Sequence, residues 1–174
     1  RSYAELAHIY HAERSRRWNL FTDIDWSAAK NEPRNEKLAL CAETFMGVEL
    51  YLPDYIDGHL SLFRDNFARA WFAANWGYEE SKHAMTLWRY LVQSGHRTED
   101  QMRDYSDRIL SKRWNKPFDN GRQMTAYGCA QEMTTFVIYK KQQMLAEAEG
   151  NQTLAEAYKL IAKDEMAHAQ YYMT

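Results

Sequence analysis

The chain has 174 residues, a formal net charge of -2 and 45% hydrophobic residues, which is enough for one domain with a real core and makes no general case for nucleic acid. Its two cysteines, Cys41 and Cys129, are too few for a disulfide scaffold and read as small buried thiols. No apolar run reaches the ~18 residues of a membrane span, and no short apolar core of the secretory kind opens the sequence. Together these features point to a reducing, intracellular compartment.

Seven Gly and three Pro leave little punctuation, and strand-like alternation is almost absent. The whole chain therefore reads as all-α, a single domain over residues 1–174. A short helix is predicted over about 2–16, where Arg14, Arg16 and Arg17 form a solvated end. The irregular stretch WNLFTDIDWSAAKNEP follows. The bundle helices are predicted over about 36–56, 60–94, 122–149 and 152–173. Pro53 marks a kink or terminus in the first, and Ser94-Gly95 caps the second. A shorter amphipathic helix, about 98–112, precedes the loop NKPFDNG. The link at Gly150-Asn151 makes the last two helices antiparallel neighbours in a four-helix bundle.

Two stretches, EESKH at 79–83 and DEMAH at 164–168, carry the chemistry. Residues i and i+3 share a helix face, so Glu80 projects with His83, and Glu165 with His168. Glu49 stands 31 residues before Glu80, and Glu132 stands 33 before Glu165. Each half thus reads as a helix with one interior Glu, then a helix with Glu-x-x-His. Glu49 lies in FMGVELYL, and Thr135, Phe136 and Val137 follow Glu132 within a turn. An ionised carboxylate in such company is costly unless a cation compensates it.

Four inward carboxylates and two imidazoles from four helices match the ligand pattern of ferritin-like di-iron carboxylate proteins. Each of two metals is expected to take one imidazole and one terminal carboxylate from Glu80 or Glu165, with Glu49 and Glu132 completing the set. Oxygen-rich ligands suit iron, with manganese as the alternative, and dioxygen as co-substrate. Asp164 can reach the ring N–H of His83, and Glu79 that of His168. Thr135 shares a face with Glu132, where it can bond oxygen or relay a proton; bonding back to its own helix is the other reading. Trp76 is expected in the core, with electron transfer as its functional reading. His8, His11, His59 and His96 read as surface residues.

These residues resemble the soluble acyl-acyl-carrier-protein desaturases. The matching phrases are ELYLPDY at 49–55, RAWFAANWGYEESKH at 69–83, QEMTTF at 131–136 and DEMAH at 164–168. The resemblance implies metal ligands Glu49, Glu80, His83, Glu132, Glu165 and His168, and catalytic roles for Thr135 and Asp164. It also places a tryptophan, matched loosely by Trp18, near the metals. The implied reaction introduces a cis double bond into a saturated chain on acyl carrier protein, using dioxygen and two electrons from ferredoxin, in a homodimer.

The segment between Glu49 and Glu80 is shorter than in the plant enzymes, and six residues follow His168. A compact or truncated bacterial-type member is therefore expected, with a plastid protein as the alternative. Arg64, Arg69 and Lys82 are candidates for a basic patch facing the acidic carrier. Other readings on the same scaffold are a di-iron N-oxygenase or hydroxylase, and a metal-binding ferritin-like protein without an organic substrate.

Overall fold

Pro53 decides where the first bundle helix stops. Proline has no backbone N–H, and its ring collides with the carbonyl four residues earlier, which here is that of Glu49. The computed structural model describes Ala4, His8 and residues 16–173; most of the helix predicted over 2–16, with Arg14 and His11, lies outside the described residues. In it α1 is Glu36–Glu49, and a separate α2, Leu52–Leu62, carries Pro53 in its first turn. The single helix predicted over 36–56 is therefore two.

The remaining helices are α3 (Phe67–Gln93), α4 (Glu99–Leu110), α5 (Gly121–Ala148) and α6 (Gln152–Tyr172), with a 3-10 turn at Ala29–Asn31. No strand occurs among the described residues. α3 starts later than the predicted residue 60 because Leu60 to Leu62 finish α2 and Asn66 caps the new helix, accepting from Arg69 N–H. Such side-chain caps satisfy N–H groups that a helix start leaves without partners. Asn35, Asn120 and Asn151 do the same for α1, α5 and α6.

α5 and α6 form the tightest pair, and α3 packs on α1, α2 and α6. Gly150, at φ +76°, turns the chain between α5 and α6. Its N–H bonds Glu147 C=O while the N–H of Asn151 bonds Ala146 C=O, the paired closure of a Schellman end. Leu87, Tyr90, Leu91, Tyr139, Leu154, Tyr158 and Ile161 are fully buried where these helices meet. Each such leucine contributes about 1.5–3 kcal/mol of burial.

Three surface expectations are corrected. His59 is buried: α2 turns it inward, its Nδ1 bonding Tyr55 C=O and its Nε2 meeting Tyr172 Oη. Lys82 is buried and paired with Asp164 at 3.1 Å, so it belongs to no surface patch; Arg64 and Arg69 are exposed. Arg16 is not a solvated helix end but pairs with Asp164 at 2.7 Å and Glu79 at 3.3 Å. Both cysteines are free, and both are half-buried rather than buried.

Candidate metal centre

Four helices deliver six ligand-type side chains to one place in the core. Glu49 is the last residue of α1, α3 brings Glu80 and His83, α5 brings Glu132, and α6 brings Glu165 and His168. None is more than 5% exposed. Their donor atoms form two groups, each spanning no more than 4.8 Å: Glu49, Glu80, His83 and Glu165, and Glu80, Glu132, Glu165 and His168.

Glu80 and Glu165 are common to both groups, while Glu49 and Glu132 each belong to one. Glu80 and Glu165 are expected from the sequence as terminal ligands; here they are the two acids common to both groups. The two Glu-x-x-His helices carry their acids into the middle of the cluster, so these carboxylates lie where they can bridge.

Charge separates these acids from their neighbours. Glu79 and Asp164 are also buried, but Arg16 reaches both and Lys82 reaches Asp164. Among the described residues, the ion pairs of Glu80, Glu132 and Glu165 are all with His83 or His168, and Glu49 has none. Four buried carboxylates thus lack a lysine or arginine, which two divalent ions would balance. Glu80 Oε1, His83 Nδ1 and Glu165 Oε1 are buried without a hydrogen-bond partner, although His83 Nδ1 lies 3.1 Å from Glu165 Oε1. These atoms converge on one another, as atoms aimed at a shared cation do.

The titration behaviour follows from that crowding. Burial, then repulsion from Glu165, Glu49 and Glu132, raises Glu80 well above the usual carboxylate range. Burial and Glu165 push Glu132 up to about 8, and burial raises Glu49. Burial also opposes ionised Glu165, but His83 and His168 outweigh it and hold this acid below its ordinary value. Burial disfavours both imidazolium ions, yet Asp164 and Glu165 hold His83 well above its ordinary value. Glu132, Glu79 and Glu80 do the same for His168. In the absence of a cation the cluster balances its charge with protons, which metal ligation displaces.

A second layer orients the rings. His83 Nε2 lies 3.3 Å from Asp164 Oδ2, and His168 Nε2 lies 2.7 Å from Glu79 Oε2. Each imidazole thereby keeps Nδ1 toward the cluster. Trp18 donates its indole N–H to Asp164 at 2.8 Å, so it stands beside the site despite its distance in sequence. Trp76 is buried and donates to Glu132 at 2.9 Å. The Thr135 hydroxyl bonds back to its own helix, contacting Gln131 and Glu132 C=O, and also donates to Glu165 Oε2 at 2.6 Å.

Sequence reasoning did not identify Tyr139, whose hydroxyl donates to Glu49 Oε1 at 2.5 Å across 90 residues. Its position on the Glu132 face, two turns along, was the available signal. Beside the cluster lies a cavity of about 60 Å³ whose wall includes Tyr55, His59, Trp76, Trp114, Tyr127 and Tyr172. Glu49, Glu80, Glu132, Thr135 and Glu165 form its floor.

Residues 52–174 match the fatty acid desaturase family. The chain belongs to that family. The match includes five of the six cluster residues; Glu49 lies three positions before it and is placed by geometry. No curated protein and no solved structure shows detectable similarity. For a fatty acid desaturase, a buried carboxylate–histidine cluster able to hold a metal ion points to iron. Among the described residues, no helix of this desaturase-family chain is long and apolar enough to cross a membrane.

Proposed function

We propose that the chain is a di-iron, dioxygen-dependent desaturase that introduces a cis double bond into a saturated fatty acyl chain held on acyl carrier protein. The observation that carries this reading is the pair of overlapping ligand groups with Glu80 and Glu165 in common, in a chain of the fatty acid desaturase family. Glu49 and His83 would hold one iron, Glu132 and His168 the other, with Glu80 and Glu165 between them. When bound, the iron pair supplies the oxidising power needed to attack an unactivated C–H bond.

The protein's own residues do the rest. Asp164 and Glu79 fix the two imidazoles, with Arg16, Lys82 and Trp18 neutralising and orienting those acids. Thr135 sits where cavity and cluster meet, and its hydroxyl holds Glu165 and can move a proton at Oε2. The aromatic wall suits a hydrocarbon chain. A cavity of about 60 Å³ takes several water-sized molecules but not a whole acyl chain, so substrate entry requires rings of this wall to move. A ferredoxin-type donor would supply two electrons, and the working unit would be a homodimer.

The test is turnover. Protein loaded with Fe(II) is given reduced ferredoxin, dioxygen and a saturated acyl-acyl carrier protein, and the acyl product is weighed by mass spectrometry. The expected product lacks two hydrogens, and its formation requires both oxygen and the carrier. A product that gains one oxygen atom would identify a hydroxylase instead.

A further inference from the structure

Among the described residues three tyrosines are fully buried: Tyr90, Tyr139 and Tyr158. Their hydroxyls have different fates. Tyr90 Oη accepts from Asn151 at 2.7 Å, and Tyr158 Oη has no hydrogen-bond partner. Tyr139 alone of the three meets a carboxylate, and that carboxylate is Glu49 of the metal cluster. Its ring lies 5.1 Å from Phe45 and 5.7 Å from Tyr158, between centroids, in a dry part of the core.

A phenol surrenders one electron readily only if its proton leaves at the same time, because the radical cation is a very strong acid. In a dry interior that proton needs an acceptor within hydrogen-bond reach. Tyr158 has none, while Tyr139 has Glu49 Oε1 at 2.5 Å.

We infer that Tyr139 is a redox residue of this site, a reading that rests on the dinuclear iron centre proposed above. The bound iron pair would supply the oxidising power once dioxygen has reacted with it, and the Tyr139 ring would give up one electron to it. The phenolic O–H bond breaks, its proton forms an O–H bond on Glu49 Oε1, and Tyr139 is left as a neutral phenoxyl radical. The iron pair loses one positive charge as Glu49 gains one, so the total charge of the buried cluster is unchanged. That neutrality matters where net charge is costly. The step would remove one oxidising equivalent from the site when the cavity holds no acyl chain, and the partnerless hydroxyl of Tyr158 keeps the radical from moving inward.

The test uses the full chain loaded with Fe(II), with bound iron measured on the same sample. It is mixed with dioxygen without substrate, frozen within seconds and examined by electron paramagnetic resonance. The expected result is an organic radical whose hyperfine pattern narrows when the protein carries ring-deuterated tyrosine. The signal should vanish in Tyr139→Phe and persist in Tyr158→Phe. If Tyr139→Phe loses iron, the assignment is made on otherwise intact protein: Tyr158→Phe and Tyr90→Phe must each keep the signal, and loss in either overturns the inference. Iron that is bound and oxidised without any organic radical overturns it and leaves the desaturase reading standing. So does a radical on tryptophan, since the Trp76 indole also donates to a cluster acid. Failure to bind iron at all removes both.

Discussion

Glu80 and Glu165 occupy different positions in the cluster from Glu49 and Glu132, and that difference is measurable residue by residue. Because both groups need Glu80 and Glu165, Glu80→Ala or Glu165→Ala should abolish binding of both metals. Glu49→Ala removes a member of one group alone and should leave about one metal per chain. Elemental analysis of the purified variants checks this; retention of both metals in Glu165→Ala would refute the shared position. Asp164 offers a second test, because it accepts from Trp18, approaches His83, and pairs with Lys82 and Arg16. Asp164→Asn strands the buried Lys82 ammonium, and a broken buried pair costs about 3–5 kcal/mol. Urea unfolding of the metal-free protein should show a loss of that order.

Local chemistry sets the elements, and the part of it that acts within a few residues was legible in the sequence. The i, i+3 face places Glu80 with His83 and Glu165 with His168 regardless of tertiary context. Glu49 was visible because FMGVELYL gives it apolar neighbours on every side, and Gly150-Asn151 announced the turn between α5 and α6. Other features depend on contacts between distant segments. Arg16 finds Asp164 across 148 residues and Tyr139 finds Glu49 across 90, and no periodicity encodes such meetings. Which carboxylates lie in the middle of the cluster depends on how α3 and α6 face one another, so the sequence spacing alone does not decide it.

The contact between α2 and α3 makes an element-scale prediction. Gly77 lies one turn before Glu80, and a methyl group there would collide with Ile56 Cδ1. Gly77→Ala should cost about 1–3 kcal/mol through overpacking. Adding Ile56→Val removes the colliding methyl, so the double variant should be less destabilised than the sum of the two single changes. Additive losses in a denaturation series would show that α2 does not press on α3 at this point.

For the whole molecule, the cluster trades stability for function. Four buried carboxylates with no lysine or arginine partner among the described residues burden the metal-free fold, and the protons held by Glu80, Glu132 and the two histidines relieve part of that burden. Metal that binds the folded chain alone stabilises it by mass action, about 2.7 kcal/mol per site at a hundredfold excess over Kd. Anaerobic Fe(II) or Mn(II) should therefore raise the thermal midpoint, a chelator should reverse the rise, and Glu165→Ala should show none. A midpoint insensitive to metal in the intact chain would contradict this linkage.

The most direct measurement of the central claim is anomalous X-ray diffraction from crystals of the chain loaded anaerobically with Fe(II). The account predicts two anomalous peaks about 3.5–4 Å apart, flanked by Glu80 and Glu165, with Glu49 and His83 on one side and Glu132 and His168 on the other. A single peak, or none in a well-folded iron-treated crystal, would contradict a dinuclear centre.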